Sequence, residues 1–487
     1  MNRPIRLVGL VMSLMVFALL ANLTYFVVGR EPALAADPAN QRAVQADFDR
    51  QRGQILAAST VIAETAPAAA GGAFSRQRVY PNGPLYAPVT GYYSYVYGSR
   101  GLEHSFDKEL AGTAADQWWQ RLADTLAGRT PVGATVQTTI DPVLQQLAAE
   151  KLGDAKGAVV VLDPSTGAVR ALVSSPSYDP NKLASHDFAA VEAAWSDLLA
   201  DPGKPLSNRA ARETYPPGST AKLVVAAAAL AAGYSPDSLI DTPATVQLPN
   251  SSSVLPNASA CGNSQQTLAN ALRLSCNTSF ALLGNQLGAE ALRNQAEKFG
   301  FNRTHLDAIG DAASVYLARP DDKGDITPVE PDQAQLMMSS IGQWEIAASP
   351  LQMALVAAAI ANDGVLMEPY LVSEIRAPNL NVLYSHEPQP SQAMEPADAQ
   401  ALQEMMLGVV ASGTGTRAQL AGTAVGGKTG TAEWQPGQPP YAWFTAYAHD
   451  PDVVVAVFIE SAGGEASDTA AGQLTGPIVR DLIAATR

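Results

Sequence analysis

The sequence is short of charge, histidine and cysteine. Asp, Glu, Lys and Arg make up 16% of its 487 residues, well under the quarter usual in soluble domains. What charge there is leans acidic: 31 Lys and Arg against 46 Asp and Glu give a net charge of −15. With no basic run to offset it, this leaves no electrostatic footprint for nucleic acid. Five scattered histidines and two cysteines form no zinc-ligand cluster and no HExxH, so neither a metal nor a cofactor is expected. A GxSxG elbow is missing, which removes the α/β-hydrolase route to serine chemistry. No internal repeat is evident. Scarcity of charge does not mean disorder, because 47% of the residues are hydrophobic and can fill a core. A chain of this length suits two or three domains.

Charge is most unevenly placed at the start. Residues 1–30 hold Arg3, Arg6 and Arg30 and no acid. Between Arg6 and Arg30 lie 23 uncharged, largely apolar residues, which as a helix reach roughly 34 Å, enough to cross a hydrocarbon core. A cleaved signal peptide is the alternative, and the ALAA stretch at 33–36 would suit one. The run exceeds the usual signal-peptide apolar segment, so an uncleaved anchor is expected, with Arg3 and Arg6 held in the cytoplasm. The rest of the chain then faces an oxidising compartment. There Cys261 and Cys276, 15 residues apart, are expected to pair.

The chain divides by texture into 1–30 (anchor), 31–133 (a small membrane-proximal domain) and 134–487. Residues 31–80 read as a tether with irregular structure, 79–100 as short strands and turns, and 102–128 as a helix containing Trp118 and Trp119. Beyond that, TVQTTI predicts a strand, Asp141-Pro142 a helix start, and GAVVVLDPSTGAVRALVS a β-hairpin. Ala/Leu-rich helices are predicted at 222–232, 267–288, 289–299, 350–362 and 397–411. The late run AWFTAYAHDPDVVVAVFIES is β-rich, and a terminal helix follows. Early strands, central helices and late strands predict an α+β domain whose antiparallel sheet is assembled from both ends of the chain.

The chemistry begins at YPPGSTAKLVVAAAALAAG, residues 215–233. Pro216, Pro217 and Gly218 block helix, so a helix starts near Ser219, where free backbone N–H groups favour developing negative charge. Lys222, three residues on, shares a face with Ser219. A lysine buried beside an apolar helix loses basicity and can act as a base, so the serine needs no histidine. Alone, SxxK is a weak signal, better read as a capping serine with a solvated lysine. Two further motifs change the weighing. Ser275-Cys276-Asn277 follows 56 residues after Ser219, and Lys428-Thr429-Gly430-Thr431 a further 153 after Ser275.

The triple SxxK, SxN, KTG in this order resembles the signature of penicillin-binding proteins and serine β-lactamases. GLEHSFDKELAG, VQTTIDPVLQQ, NRAARETYPPGSTAK and IGQWEIAASPLQMALVAAAIANDG extend the likeness to monofunctional (class B) penicillin-binding proteins, of the actinobacterial penicillin-binding protein A type. The resemblance implies a transpeptidase acting on D-Ala-D-Ala stem peptides of peptidoglycan and blocked by β-lactams. It casts Ser219 as nucleophile, Lys222 as base, Ser275 as proton relay, Asn277 as holder of the acyl-side amide and Lys428 as source of positive potential. Thr429, Gly430 and Thr431 become the substrate-binding strand, with Thr429 and Thr431 binding the substrate carboxylate. Residues 31–133 are too few for a glycosyltransferase domain of about 150–200 residues, so a SEDS-family glycosyltransferase is the implied partner. Cell-membrane localisation, with the catalytic domain outside, goes with the anchor. Transfer to water by a carboxypeptidase or β-lactamase, and a β-lactam sensor, are the rival readings. GTAVGGKT at 422–429 also fits a phosphate loop. The prolines after it forbid the helix such a loop requires.

Overall fold

The computed structural model describes residues 2–30, 41–68, 74–117, 127–128, 131–433, 437–461 and 467–487. Trp118, Trp119 and the ALAA stretch lie outside the described residues. Asn2–Thr24 is a helix whose Ile5–Thr24 portion has a mean hydropathy of 2.2 and none of its surface buried in the rest of the protein.

The chemistry-bearing domain is built on a five-stranded antiparallel sheet. Its order is Val425–Ala432, Tyr441–His449, Asp452–Ile459, Gly157–Leu162, Val169–Ser175. Early and late strands therefore meet in one sheet, as the pattern predicted. Val454, Val457 and Phe458 pair directly across to Leu162, Val159 and Ala158, all fully buried. Pro350–Ala361 and Lys222–Ala231, hydrophobic all round and almost wholly buried, pack on one side, as such helices must. The terminal helix Asp468–Ala485 packs on the other side, with Pro142–Leu152. Asp141 caps that second helix through the Val143 and Leu144 N–H groups.

A second, six-stranded sheet runs Val382–Ser385, Val372–Arg376, Thr135–Thr138, Ile55–Ala57, Thr60–Pro67, Arg76–Val79. Within the stretch read as tether and irregular structure, residues 55–57, 60–67 and 76–79 are strands, because Ile55, Ile62 and Ala63 are fully buried on this sheet. Thr135–Thr138 pairs in parallel with Ile55–Ala57 and antiparallel with Val372–Arg376, so strands from either side of residue 134 share one sheet. Other local expectations also shift. Gly83–Thr90 is a helix, not turn and strand. The predicted helix over 102–128 breaks early into Leu102–Ser105 and Asp107–Leu110, with Gly112 following at φ +71°. The predicted helix 267–288 is two, Leu268–Leu274 and Asn277–Leu287.

Candidate active site

The break between those two helices falls on the second motif. Ser275 takes the left-handed conformation, φ +61°, caps the first helix and reverses the chain. Cys276 then starts the second helix, and its disulfide to Cys261 ties the turn to a neighbouring segment, with the Cα atoms 5.8 Å apart. Asn257 supports the same turn, its Oδ1 accepting the Asn277 N–H at 2.9 Å.

Ser219 sits in a single 3₁₀ turn, Gly218–Ala221, that runs into the Lys222–Ala231 helix. Gly218 and Gly430 let this turn lie flat on the Val425–Ala432 strand. A Cβ at Gly218 would stand 2.3 Å from the Thr431 carbonyl oxygen, and one at Gly430 2.8 Å from that of Pro217. Neither position has room for a side chain, and the Ser219 and Thr431 backbones are neighbours for that reason. From the next strand Trp443 Nε1 donates to the Pro216 carbonyl at 3.0 Å, fixing the approach to the turn.

Lys222 is fully buried. Its Nζ lies 2.9 Å from Ser219 Oγ, 2.8 Å from the Ser275 carbonyl, 3.1 Å from Ser275 Oγ and 2.7 Å from Asn277 Oδ1. Lys428, also fully buried, places Nζ 2.8 Å from Ser275 Oγ and 2.8 Å from the Thr429 carbonyl. Ser275 thus stands between the two amines. Burial drives the pKa of Lys222 well below that of an ordinary lysine, with Lys428 adding to the fall and Asp468 opposing it. Burial lowers Lys428 in the same direction.

Thr431 lines the cleft, and its buried hydroxyl has no partner among the described residues. Thr429 is fully buried instead, its hydroxyl paired with that of Thr414. Ser219, Ser275, Asn277 and Thr431 share a cleft of about 740 Å³. The phosphate-loop pattern is excluded by form as well as context, since Lys428 and Thr429 lie in mid-strand.

Asp468 is a member of this site that sequence reasoning missed. It stands in the first turn of the terminal helix, accepts from the Ser275 hydroxyl, and places Oδ2 3.4 Å from Lys428 Nζ. Burial pushes its pKa up, but the two lysines outweigh that and hold it below the usual carboxylate value. Nothing local marks it, because an acid in a first helical turn is ordinary.

Comparison with known proteins agrees with this geometry. Residues 157–484 match the family described as penicillin binding protein transpeptidase domain, and 52–136 that described as penicillin binding protein A dimerisation domain. The chain is 42% identical to the peptidoglycan D,D-transpeptidase PbpA of Mycolicibacterium smegmatis, over 100% of this chain and 99% of that one. With the PbpA of Mycobacterium tuberculosis it shares 41% identity over the same spans. A solved ceftriaxone acyl-enzyme of penicillin-binding protein A from M. tuberculosis superimposes with a TM-score of 0.83 at 39% identity, covering 91% of this chain and 99% of that one. A sheet closed by both ends of the chain, three motifs converging on one cleft, and these matches place the chain in the penicillin-binding protein transpeptidase family.

Proposed function

We propose that the protein is a peptidoglycan D,D-transpeptidase, cross-linking stem peptides through an acyl-enzyme on Ser219 and inhibited covalently by β-lactams. The observation that carries the reading is the Lys222 amine, fully buried and 2.9 Å from Ser219 Oγ. Burial lowers the amine's basicity, and in its neutral form it takes the hydroxyl proton as Oγ attacks the penultimate D-Ala carbonyl. The Ser219 and Thr431 N–H groups receive the resulting oxyanion, and each such donor lowers the barrier by about 2.7–4 kcal/mol. Collapse breaks the peptide bond, and the leaving D-Ala nitrogen takes its proton through Ser275 from the Lys222 ammonium. A neighbouring stem-peptide amine then attacks the ester carbonyl, giving a proton to Lys222, which passes it to Ser219 Oγ as the ester bond breaks. Asn277 holds the acyl-side amide. Lys428 and Thr431 receive the substrate carboxylate, while Thr429 and Gly430 shape the strand that presents them.

Residues 1–30 serve as a single-pass cell-membrane anchor, residues 31–133 as a membrane-proximal domain and residues 134–487 as the transpeptidase, outside the cytoplasm. The apolar Ile5–Thr24 helix supports that placement. A SEDS-family glycosyltransferase supplies the glycan strands. The test is benzylpenicillin labelling with intact mass and peptide mapping. A persistent adduct on Ser219, absent from Ser219→Ala, is expected; an adduct retained by the variant overturns the nucleophile.

A further inference from the structure

A second large cavity, about 520 Å³, lies away from the acyl-transfer cleft. One side comes from residues 87–101, within the match to the dimerisation domain, and the other largely from residues 174–213, within the transpeptidase match. Its size is that of a small-ligand site. The two sides are held together by polar contacts nearby, such as Asn208 Nδ2 donating to the Pro88 carbonyl at 2.9 Å.

The lining is unusual for so acidic a chain. Arg100, Lys204 and Arg212 all border the cavity, with Glu213 the single acid among its lining residues. None of these three cations has an ion pair among the described residues. Tyr178 lines the same cavity as both arginines. In a protein of net charge −15, three unpaired cations around one acid form a local positive well. Ser177 adds a second observation. Its Oγ is buried at this wall with no hydrogen-bond partner, and buried hydroxyls are rarely left so. An apolar floor completes the site: Trp195 packs edge-on to Tyr92 with centroids 6.0 Å apart and stacks on Tyr97 at 4.4 Å.

Arginines suit carboxylates, which they grip in pairs of parallel hydrogen bonds, and the aromatic floor suits an apolar body between charged ends. We propose that this cavity is a second binding site, taking a short peptide that carries two or more carboxylates. The inference rests on the transpeptidase reading for its source: an uncross-linked stem peptide bound by its acidic middle, not by its D-Ala-D-Ala end.

The probe is N-acetyl-L-Ala-γ-D-Glu-meso-diaminopimelate, titrated calorimetrically into the full chain with and without prior benzylpenicillin acylation. Without the D-Ala-D-Ala end it is no substrate for the cleft, and acylation fills that cleft. Expected are binding in both states, an affinity about ten-fold weaker in Arg100→Ala and in Arg212→Ala, and loss of affinity as salt is raised. Both variants should keep the wild-type melting temperature and benzylpenicillin acylation rate, since both side chains are exposed. Absence of binding at millimolar peptide overturns the proposal, as does an affinity unchanged in both variants. Equal binding of inorganic phosphate, or of the fully amidated tripeptide, overturns the peptide assignment. Binding abolished by acylation places the peptide in the cleft and overturns the second site. Failure of benzylpenicillin to acylate Ser219 counts against the transpeptidase reading instead, and the unacylated titration still tests the cavity.

Discussion

Replacing Asp468 by asparagine should speed acylation by carboxylate-bearing β-lactams. In the free enzyme the Asp468 carboxylate accepts from Ser275 Oγ and stands 3.4 Å from Lys428 Nζ, and Lys428 is one of the groups the incoming carboxylate needs. Binding must exchange one carboxylate for another at that amine. A hydrogen bond to a charged group contributes about 1.5–3 kcal/mol. Weakening the resident contact should therefore raise the second-order acylation rate constant by about ten- to a hundred-fold. The pH profile should move as well. Asp468 holds the Lys222 pKa up against burial. Its neutralisation lets that pKa fall further, so the base stays deprotonated at lower pH and the acid limb of the profile shifts down. The assay is stopped-flow acylation by a chromogenic cephalosporin across pH, on wild type and Asp468→Asn. A variant that acylates more slowly than wild type, or whose acid limb moves up, refutes the reasoning and makes the carboxylate a working part of the site.

Three further outcomes are expected. Lys222→Ala should slow acylation by about 10²–10⁴, and Lys222→Arg should not restore it, because guanidinium stays protonated; benzylpenicillin labelling rates decide both. Gly430→Ala should cost about 10² in acylation, the scale of a roughly 1 Å misplacement. Its new Cβ would meet Thr220 N at 3.0 Å as well as the Pro217 carbonyl, and pre-steady-state acylation with circular dichroism separates this from unfolding. Reducing the Cys261–Cys276 bridge should lower stability by up to about 3 kcal/mol and slow acylation by loosening Ser275 and Asn277. Denaturant midpoints and acylation rates before and after reduction measure the two effects.

Much of this architecture was legible because its signals are local. The hairpin around DPSTG, the Asp141 cap and the three motifs each declare themselves within a few residues. The break at Ser275 did not, because LANALRLSCNTSFALLGNQL is apolar enough to read as one helix, and only the chain reversal there places Ser275 between two lysines. Asp468 was invisible for a related reason: its partners are 40 and 193 residues away in sequence. Thr135–Thr138, just past the texture change at residue 134, pairs with Ile55–Ala57, and pairing between distant strands leaves no trace in either one's composition.

The strand orders bear on how the protein is made. Ile55–Ala57 and Thr135–Thr138 emerge early, but the strand that covers the far edge of the latter, Val372–Arg376, comes more than 200 residues later. In the catalytic sheet, Gly157–Leu162 must wait for Asp452–Ile459. A chain still being synthesised therefore carries two unfinished sheets with open edges, the condition under which strands find wrong partners. Such distant pairings also close slowly. Premature release anywhere before residue 452 leaves the catalytic sheet without the strand that joins its early and late halves.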